Sequence, residues 1–464
     1  MTHSPQSDIS SPRTRFSAAR LEICPHRPRV RVAVRAASAM VVMAIAANTL
    51  ASTMAVAATK SSKTSTTTRS PLSPLETLEA TVKARPSDGT SWNELASLYA
   101  RRAYETADPS FYPRAERALA RAAVILKNSP EVRTSRASLL LALHDFAGAK
   151  IEADAVLAVR SNSFDARLAL ADATIELGDY VTAAELVEAL IEQRPGVASF
   201  SRLSYLRQLN GDLLGSEAAM RSAVSSAPAN SIDRGVAQAY LGEILLERGR
   251  GDAASRAFME ALRLHPTSSV AAIGMARLHA GRGDVALARA TLDKLVERVP
   301  APGALGLLAE LARATKDQKS ELAANQLVDA SIDLFRASGA IVDAELAVLL
   351  AERGPGASSS ALAAAKKAYG ARRTIFTEDA MAWALMQAGR PNDAVKHITS
   401  ALATNPAFAS VHWHGAVIFN SIGDPAKARQ ELALALRNPW FSPGERAAVD
   451  ALAKKLGVKR LEKS

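Results

Sequence analysis

The stretch IFTEDAMAWALMQAGRPNDAVKHITSALATNPAFASVHWHGAVIFNSIGDPAKARQELALALRNPWF, residues 375–441, contains one pattern twice. Ala382, Ala394, Ala401 and Pro406 mark the first copy, and Ala416, Ala428, Ala435 and Pro439 the second. The alanines recur with a shift of 34 residues. Between the first two alanines of each copy lies a turn, Ala388-Gly389-Arg390-Pro391 or Ser421-Ile422-Gly423-Asp424-Pro425. Each copy therefore reads as helix, tight turn, helix, stop, the pattern of a helical solenoid. Two antiparallel helices approach nearest where both carry Ala, and Leu385, Ile398, Ile418 and Leu432 fill the space around that contact. Proline after the second helix cannot extend it.

The offsets resemble those of the tetratricopeptide repeat. Earlier units follow the same register. Trp92, Leu95, Ala96 and Tyr99 fall at the Trp, Leu, Gly and Tyr positions of the family pattern, with a turn lengthened by Tyr104–Tyr112. Ala137 pairs with Ala149, Ala171 with Ala183, Gly242 with Ala254, and Ala276 with Ala288; Ser204 and Ser216 mark a weaker unit. The Gly-Asp turn recurs because Gly ends one helix and Asp caps the next. The resemblance implies an all-α fold, a right-handed superhelical solenoid of antiparallel helix pairs.

Seven segments follow. Residues 1–35 read as a disordered basic leader and 36–59 as a signal peptide or membrane anchor. Residues 60–74 form a Ser/Thr-rich linker, 75–300 the main array, and 301–374 divergent helical repeats. Residues 375–441 hold two further repeats and 442–464 a capping helix. Ala36–Thr59 carries no charge, follows a run of arginines and ends near Ala55-Val56-Ala57, a small-x-small cleavage pattern. It is also long enough to span a bilayer, though only mildly apolar. Cleaved or retained, it would export the repeats, placing them in the periplasm or outside the cytoplasm on an inner-membrane tether. A start codon later than Met1 and a non-targeting leader are the alternatives.

The formal net charge is +11, of which residues 1–58 carry +5. A modest excess spread over many helices reads as a solvated surface, so nucleic acid is not expected as a partner. The only cysteine, Cys24, precedes the apolar segment, which allows neither an intramolecular disulfide nor a lipid anchor after cleavage. His412 and His414, two apart on a helix, point in different directions and cannot share an ion. No phosphate-binding Gly-rich loop and no nucleophile elbow occurs. The chain is therefore read as non-catalytic, with no cofactor and no metal.

What remains is a surface. In the family, the first helix of each repeat lines a concave groove that takes a partner peptide. Carried over by register, its positions are Asn93, Arg101, Tyr205, Gln208, Glu243, Glu247, Arg277, Trp383, Gln387, Trp413 and Asn420. The Lys and Asn clamp that binds chaperone tails is missing at Asn93 with Ser97, Thr134 with Ser138, and Leu168 with Asp172. The resemblance thus implies a protein–protein interaction scaffold in the bacterial cell envelope, its partner another envelope protein. The alternative is a glycan-binding accessory subunit of a polysaccharide or peptidoglycan system, with Trp383 and Trp413 exposed in the groove. The same two tryptophans also read as inter-repeat core.

Overall fold

The computed structural model describes residues 73–438 and 443–459. The leader, the apolar segment 36–59, nearly all of the linker, Cys24 and Pro439 lie outside the described residues. Within them are 22 α-helices and no strand. None of the described helices is long and apolar enough to cross a membrane.

A single helix, α1 (Pro74–Ala84), precedes ten antiparallel pairs. The first five are α2 (Gly89–Thr106) with α3 (Phe111–Ile125), α4 (Pro130–Ala142) with α5 (Phe146–Val159), α6 (Phe164–Leu177) with α7 (Tyr180–Gln193), α8 (Val197–Leu209) with α9 (Leu213–Ser226), and α10 (Ile232–Glu247) with α11 (Gly251–Leu264). The next five are α12 (Ser269–Arg282) with α13 (Val285–Val296), α14 (Pro302–Ala314) with α15 (Gln318–Ala337), α16 (Asp343–Glu352) with α17 (Ser358–Ala371), α18 (Ile375–Gln387) with α19 (Pro391–Ala401), and α20 (Ala409–Ser421) with α21 (Pro425–Ala435). The last helix is α22 (Pro443–Leu456).

The even-numbered helices are the first members of the pairs. In most of the array each packs on its own partner and on the first helix of the next pair. The close approach falls where the sequence places it. Ala137, Ala149, Ala171, Ala183, Ala382, Ala394, Ala416 and Ala428 are all fully buried. Ser204 and Ser216 fill the same contact in the weaker unit, with their hydroxyl oxygens 2.9 Å apart. At Gly242 a Cβ would lie 2.4 Å from the Phe258 ring, so glycine makes room for an aromatic ring on the facing helix. Asp145, Asp179, Asp212, Asp317 and Asp424 cap second helices through their carboxylates.

The divergent stretch is helical throughout, but its packing changes. The backbone of α16 stands farther from α15 and α14 than in the other pairs, while the Leu349 side chain reaches Gly306 on α14, where a Cβ would lie 2.7 Å from it. Arginines bridge the wider gap: Arg353 donates to Asp329 at 2.8 and 3.0 Å, and Arg313 to the Glu352 carbonyl at 2.6 Å. The α16–α17 pair still buries alanines completely, Ala347 and Ala361 among them. They stand fourteen apart in sequence instead of twelve because a short 3-10 turn, Pro355–Ala357, lengthens the connection.

Candidate interaction surface

Each first helix presents one face to its counterparts in the neighbouring pairs, and polar groups there link consecutive repeats. Arg202 on α8 grips Asp172 on α6 at 2.8 and 2.5 Å, with both side chains almost wholly buried. Burial raises the Asp172 carboxyl above its ordinary range, and the Arg202 charge opposes that rise. The Tyr205 phenol lies 3.4 Å from Glu176; burial, then the Glu176 charge, pushes that phenol well above its usual value. Arg277 on α12 pairs with Glu243 on α10 at 3.2 Å. His414 on α20 meets Asp379 on α18 at 2.7 Å. At the far end of the array, Glu310, Glu352 and Glu445 are buried on α14, α16 and α22. Burial first, then the charges of Glu310 and Glu445, drives the Glu352 carboxyl well above its usual value, against Arg313 and Arg277.

A second contact runs along the edge of the solenoid. The turn inside the second pair meets the loop that follows the seventh: Ile341 N–H donates to the Leu143 carbonyl at 2.8 Å. The turn inside the third pair meets the loop after the eighth, where Arg372 pairs with Glu176 and Ile375 N–H donates to the Tyr180 hydroxyl at 3.3 Å. The turn inside the fourth meets the loop after the ninth. There Ala407 N–H donates to the Gln208 carbonyl at 2.8 Å, and the Thr404 hydroxyl to the Leu209 carbonyl at 2.7 Å. Each turn thus meets the loop after the pair five further along, so one superhelical turn of the solenoid rests directly on the next. Arg446 on α22 continues the line by donating to the Gly281 carbonyl.

This closure decides where the eleven family positions lie. Tyr205 and Gln208 are buried at the level of the turn-to-turn contact. Trp383 and Trp413 are buried completely, and the Trp383 ring stacks on His414 with centroids 4.2 Å apart. Neither indole offers a face to a sugar in this conformation. Asn93, Arg101, Glu243, Glu247, Arg277, Gln387 and Asn420 are half-buried. Glu247 accepts from Ala409 N–H at 3.2 Å across the turns, and Asn420 accepts from Lys455 at 2.8 Å. Arg101 lies close enough to Asp233 on α10 to oppose the rise that burial imposes on its carboxyl. All eleven positions lie on first helices.

His412 and His414 face different carboxylates: His412 lies 2.6 Å from Glu431, while His414 bonds Asp379. Among the described residues no group of three or more His, Cys, Asp or Glu could hold a metal ion. Sequence reading passed over Asp172, Glu176, Arg202 and Arg372, the charged residues that organise the interior. Asp172 was noted only as a position where a binding clamp is absent. The signal for Asp172 and Arg202 is their spacing of about one repeat, which places two opposite charges on successive first helices.

A two-helix unit repeated ten times, with alanines at the close approach and polar groups on the first helices, defines a helical-repeat solenoid. Two family models, both described as tetratricopeptide repeat, match residues 134–198 and 380–443 in one case and 245–311 in the other. The chain is a tetratricopeptide repeat protein. No curated protein matches it. Solved structures similar to it include Pseudomonas aeruginosa pilF, at 17% identity and TM-score 0.35, covering 45% of this chain and 96% of that one. PilW, titled a widely conserved type IV pilus biogenesis factor, is 18% identical with TM-score 0.37, covering 44% and 94%. Human IFIT1, solved as a dimer with m7Gppp-AAAA, is 13% identical with TM-score 0.44, covering 71% and 76%. Likenesses at this level carry no functional argument.

Proposed function

We propose that this protein is a non-catalytic scaffold of the bacterial cell envelope that binds a partner protein along the inner face of its superhelix. Tetratricopeptide repeats support an interaction scaffold in general terms. The observation that carries the finer reading is the row of half-buried polar side chains on first helices, Asn93, Glu243, Arg277 and Gln387 among them. Such side chains keep part of their surface on the first helices, where a partner can meet them. A rigid repeat array also lowers the ordering cost of binding. Export rests on the basic run followed by the uncharged segment 36–59. No observation favours the glycan reading, since both tryptophans it needs are buried.

The test is a pull-down from crosslinked envelope fractions with a C-terminal tag, reading the mature N-terminus in the same sample. A start near Ala58, or an intact leader in the membrane fraction, together with one enriched envelope protein that Asn93→Ala and Gln387→Ala release, is the expected result. An intact chain in the cytosol without an envelope partner would overturn it.

A further inference from the structure

A cleft of about 410 Å³ opens between α9, α10 and α11, within the range of ligand sites. Its floor is aliphatic, with Val224, Leu241 and Leu245, and its rim is cationic, with Arg221, Arg250 and Arg256. On α10, Gln238, Leu241 and Leu245 face the cleft. At about 100° per residue they lie on the opposite side of that helix from Tyr240, Glu243 and Glu247. The cleft is therefore separate from the inner face discussed above.

The charge around it is unbalanced. Glu217, nearly buried at one end, accepts from Arg221 at 2.7 and 2.9 Å, from Arg250 at 3.1 Å, and from Arg248. Three guanidinium groups converge on one carboxylate. Burial, and then the neighbouring Arg250 charge, holds Arg248 below its usual range. Across the cleft, Glu260 is held by Arg263 at 2.7 and 2.8 Å. Arg256 lies exposed between these groups and makes no ion pair among the described residues. Five arginines thus surround two carboxylates.

The start of α11 adds to the positive charge of the cleft. Five second helices begin on an Asp whose carboxylate caps them, whereas α11 begins on Arg250 and α19 on Arg390, neither of which makes a side-chain cap. A cap worth about 0.5–2 kcal/mol is forgone and a further cation stands at the cleft.

We propose that this cleft binds an acidic peptide segment of a partner protein, with carboxylate side chains held by Arg256 and Arg250 and an adjacent apolar side chain on the Leu241–Leu245 floor. Arginine's planar fork suits carboxylates, and the aliphatic floor demands an apolar neighbour that free phosphate lacks. The chain's own residues 1–58, with a net charge of +5, are not complementary to it.

The experiment is fluorescence anisotropy with the full chain and a labelled dodecapeptide of alternating Leu and Glu. Saturable one-to-one binding is expected, weakened about tenfold or more by Arg256→Glu and by Arg250→Glu, and changed less than about twofold by Arg298→Glu, an exposed residue of equal charge change on another pair. Circular dichroism verifies that the variants fold. Replacing Glu by Gln in the peptide should abolish binding, and replacing Leu by Ser should weaken it. Equal loss in all three variants would reduce the effect to net charge and overturn the proposal. So would undiminished binding of the Gln peptide, or tighter, Arg256-dependent binding of polyglutamate, anionic vesicles or single-stranded DNA. The readout does not involve the inner face, so either reading can fail alone.

Discussion

Four turn glycines allow the contact between superhelical turns to be weighed on its own. Gly178, Gly211, Gly389 and Gly423 all have positive φ, between 74° and 90°. Alanine at any of them incurs the left-handed penalty of roughly 1–2 kcal/mol. Only two also touch the next turn. A Cβ on Gly178 would lie 2.4 Å from the Arg373 carbonyl oxygen, and one on Gly211 would lie 2.3 Å from that of Asn405. At Gly389 and Gly423 nothing lies within 4 Å. Subtracting Gly389→Ala from Gly211→Ala therefore cancels the backbone strain and leaves the clash.

That remainder can be sized. Relieving a 2.3 Å contact with a backbone oxygen requires the 404–409 loop to withdraw. Overpacking of this kind costs about 1–3 kcal/mol. Withdrawal also loosens the Ala407–Gln208 and Thr404–Leu209 hydrogen bonds, which overlaps with the same figure. The assay is amide hydrogen exchange across residues 404–409. A destabilisation of about 1–3 kcal/mol predicts exchange faster by roughly 5- to 150-fold in Gly211→Ala, with no change there in Gly389→Ala. Gly178→Ala should act likewise on residues 372–375, with Gly423→Ala as its control. If Gly211→Ala and Gly389→Ala leave residues 404–409 equally protected, the turns do not rest on each other and the closed superhelix is wrong.

Two further outcomes concern buried charge. Arg202→Met leaves Asp172 buried without its counter-charge, which should destabilise α6 and α8 by about 3–5 kcal/mol at pH 7, whereas Asp172→Leu with Arg202→Met should recover most of the loss. A carboxyl whose folded pKa is raised gives up stability as pH rises through that value, so acidification should narrow the gap between Arg202→Met and wild type; a gap that widens on acidification would refute this. Glu352 follows the same sign, its carboxyl raised by burial and by Glu310 and Glu445. Glu352→Gln should therefore raise the melting temperature at pH 8 and lose that advantage at pH 5, and equal destabilisation at both would sink the reasoning.

The pairwise fold was legible because its determinants are local and repeated. Alanines twelve apart, Gly-Asp turns and terminating prolines each act within one unit, and seven units repeat them. The α16–α17 pair escaped that reading because two extra turn residues separate Ala347 from Ala361 and break the register. The Ser204–Ser216 pair read as weak because Ser replaces Ala, yet two hydroxyls that bond each other pack almost as closely. Burial of Trp383 and Trp413 between repeats was one of the two readings that the sequence offered, but the contact between superhelical turns at Gln208 and Glu247 was not legible. It depends on rotations accumulated over five pairs, a sum too sensitive to small errors for any single unit to reveal.

The reason the turns close lies in helix ends. An α-helix leaves its last carbonyls without intrahelical partners. In a solenoid of pairs, the ends of all the first helices fall along one edge, so each pair adds orphan acceptors to the same row. Leu143, Glu176, Leu209 and Gly281 all stand at such ends, and each carbonyl accepts a donor from the later superhelical turn. Two of those donors are the guanidinium groups of Arg372 and Arg446, cations placed where the helix dipole favours them. Among the described residues no later pair meets the ends of α18 and α20, and a Cβ on their turn glycines, Gly389 and Gly423, would find nothing within 4 Å. Glycine thus serves the turn alone in the last two pairs, but serves both the turn and the neighbouring chain at Gly178 and Gly211. The same residue in the same motif answers to different forces according to which superhelical turn it occupies.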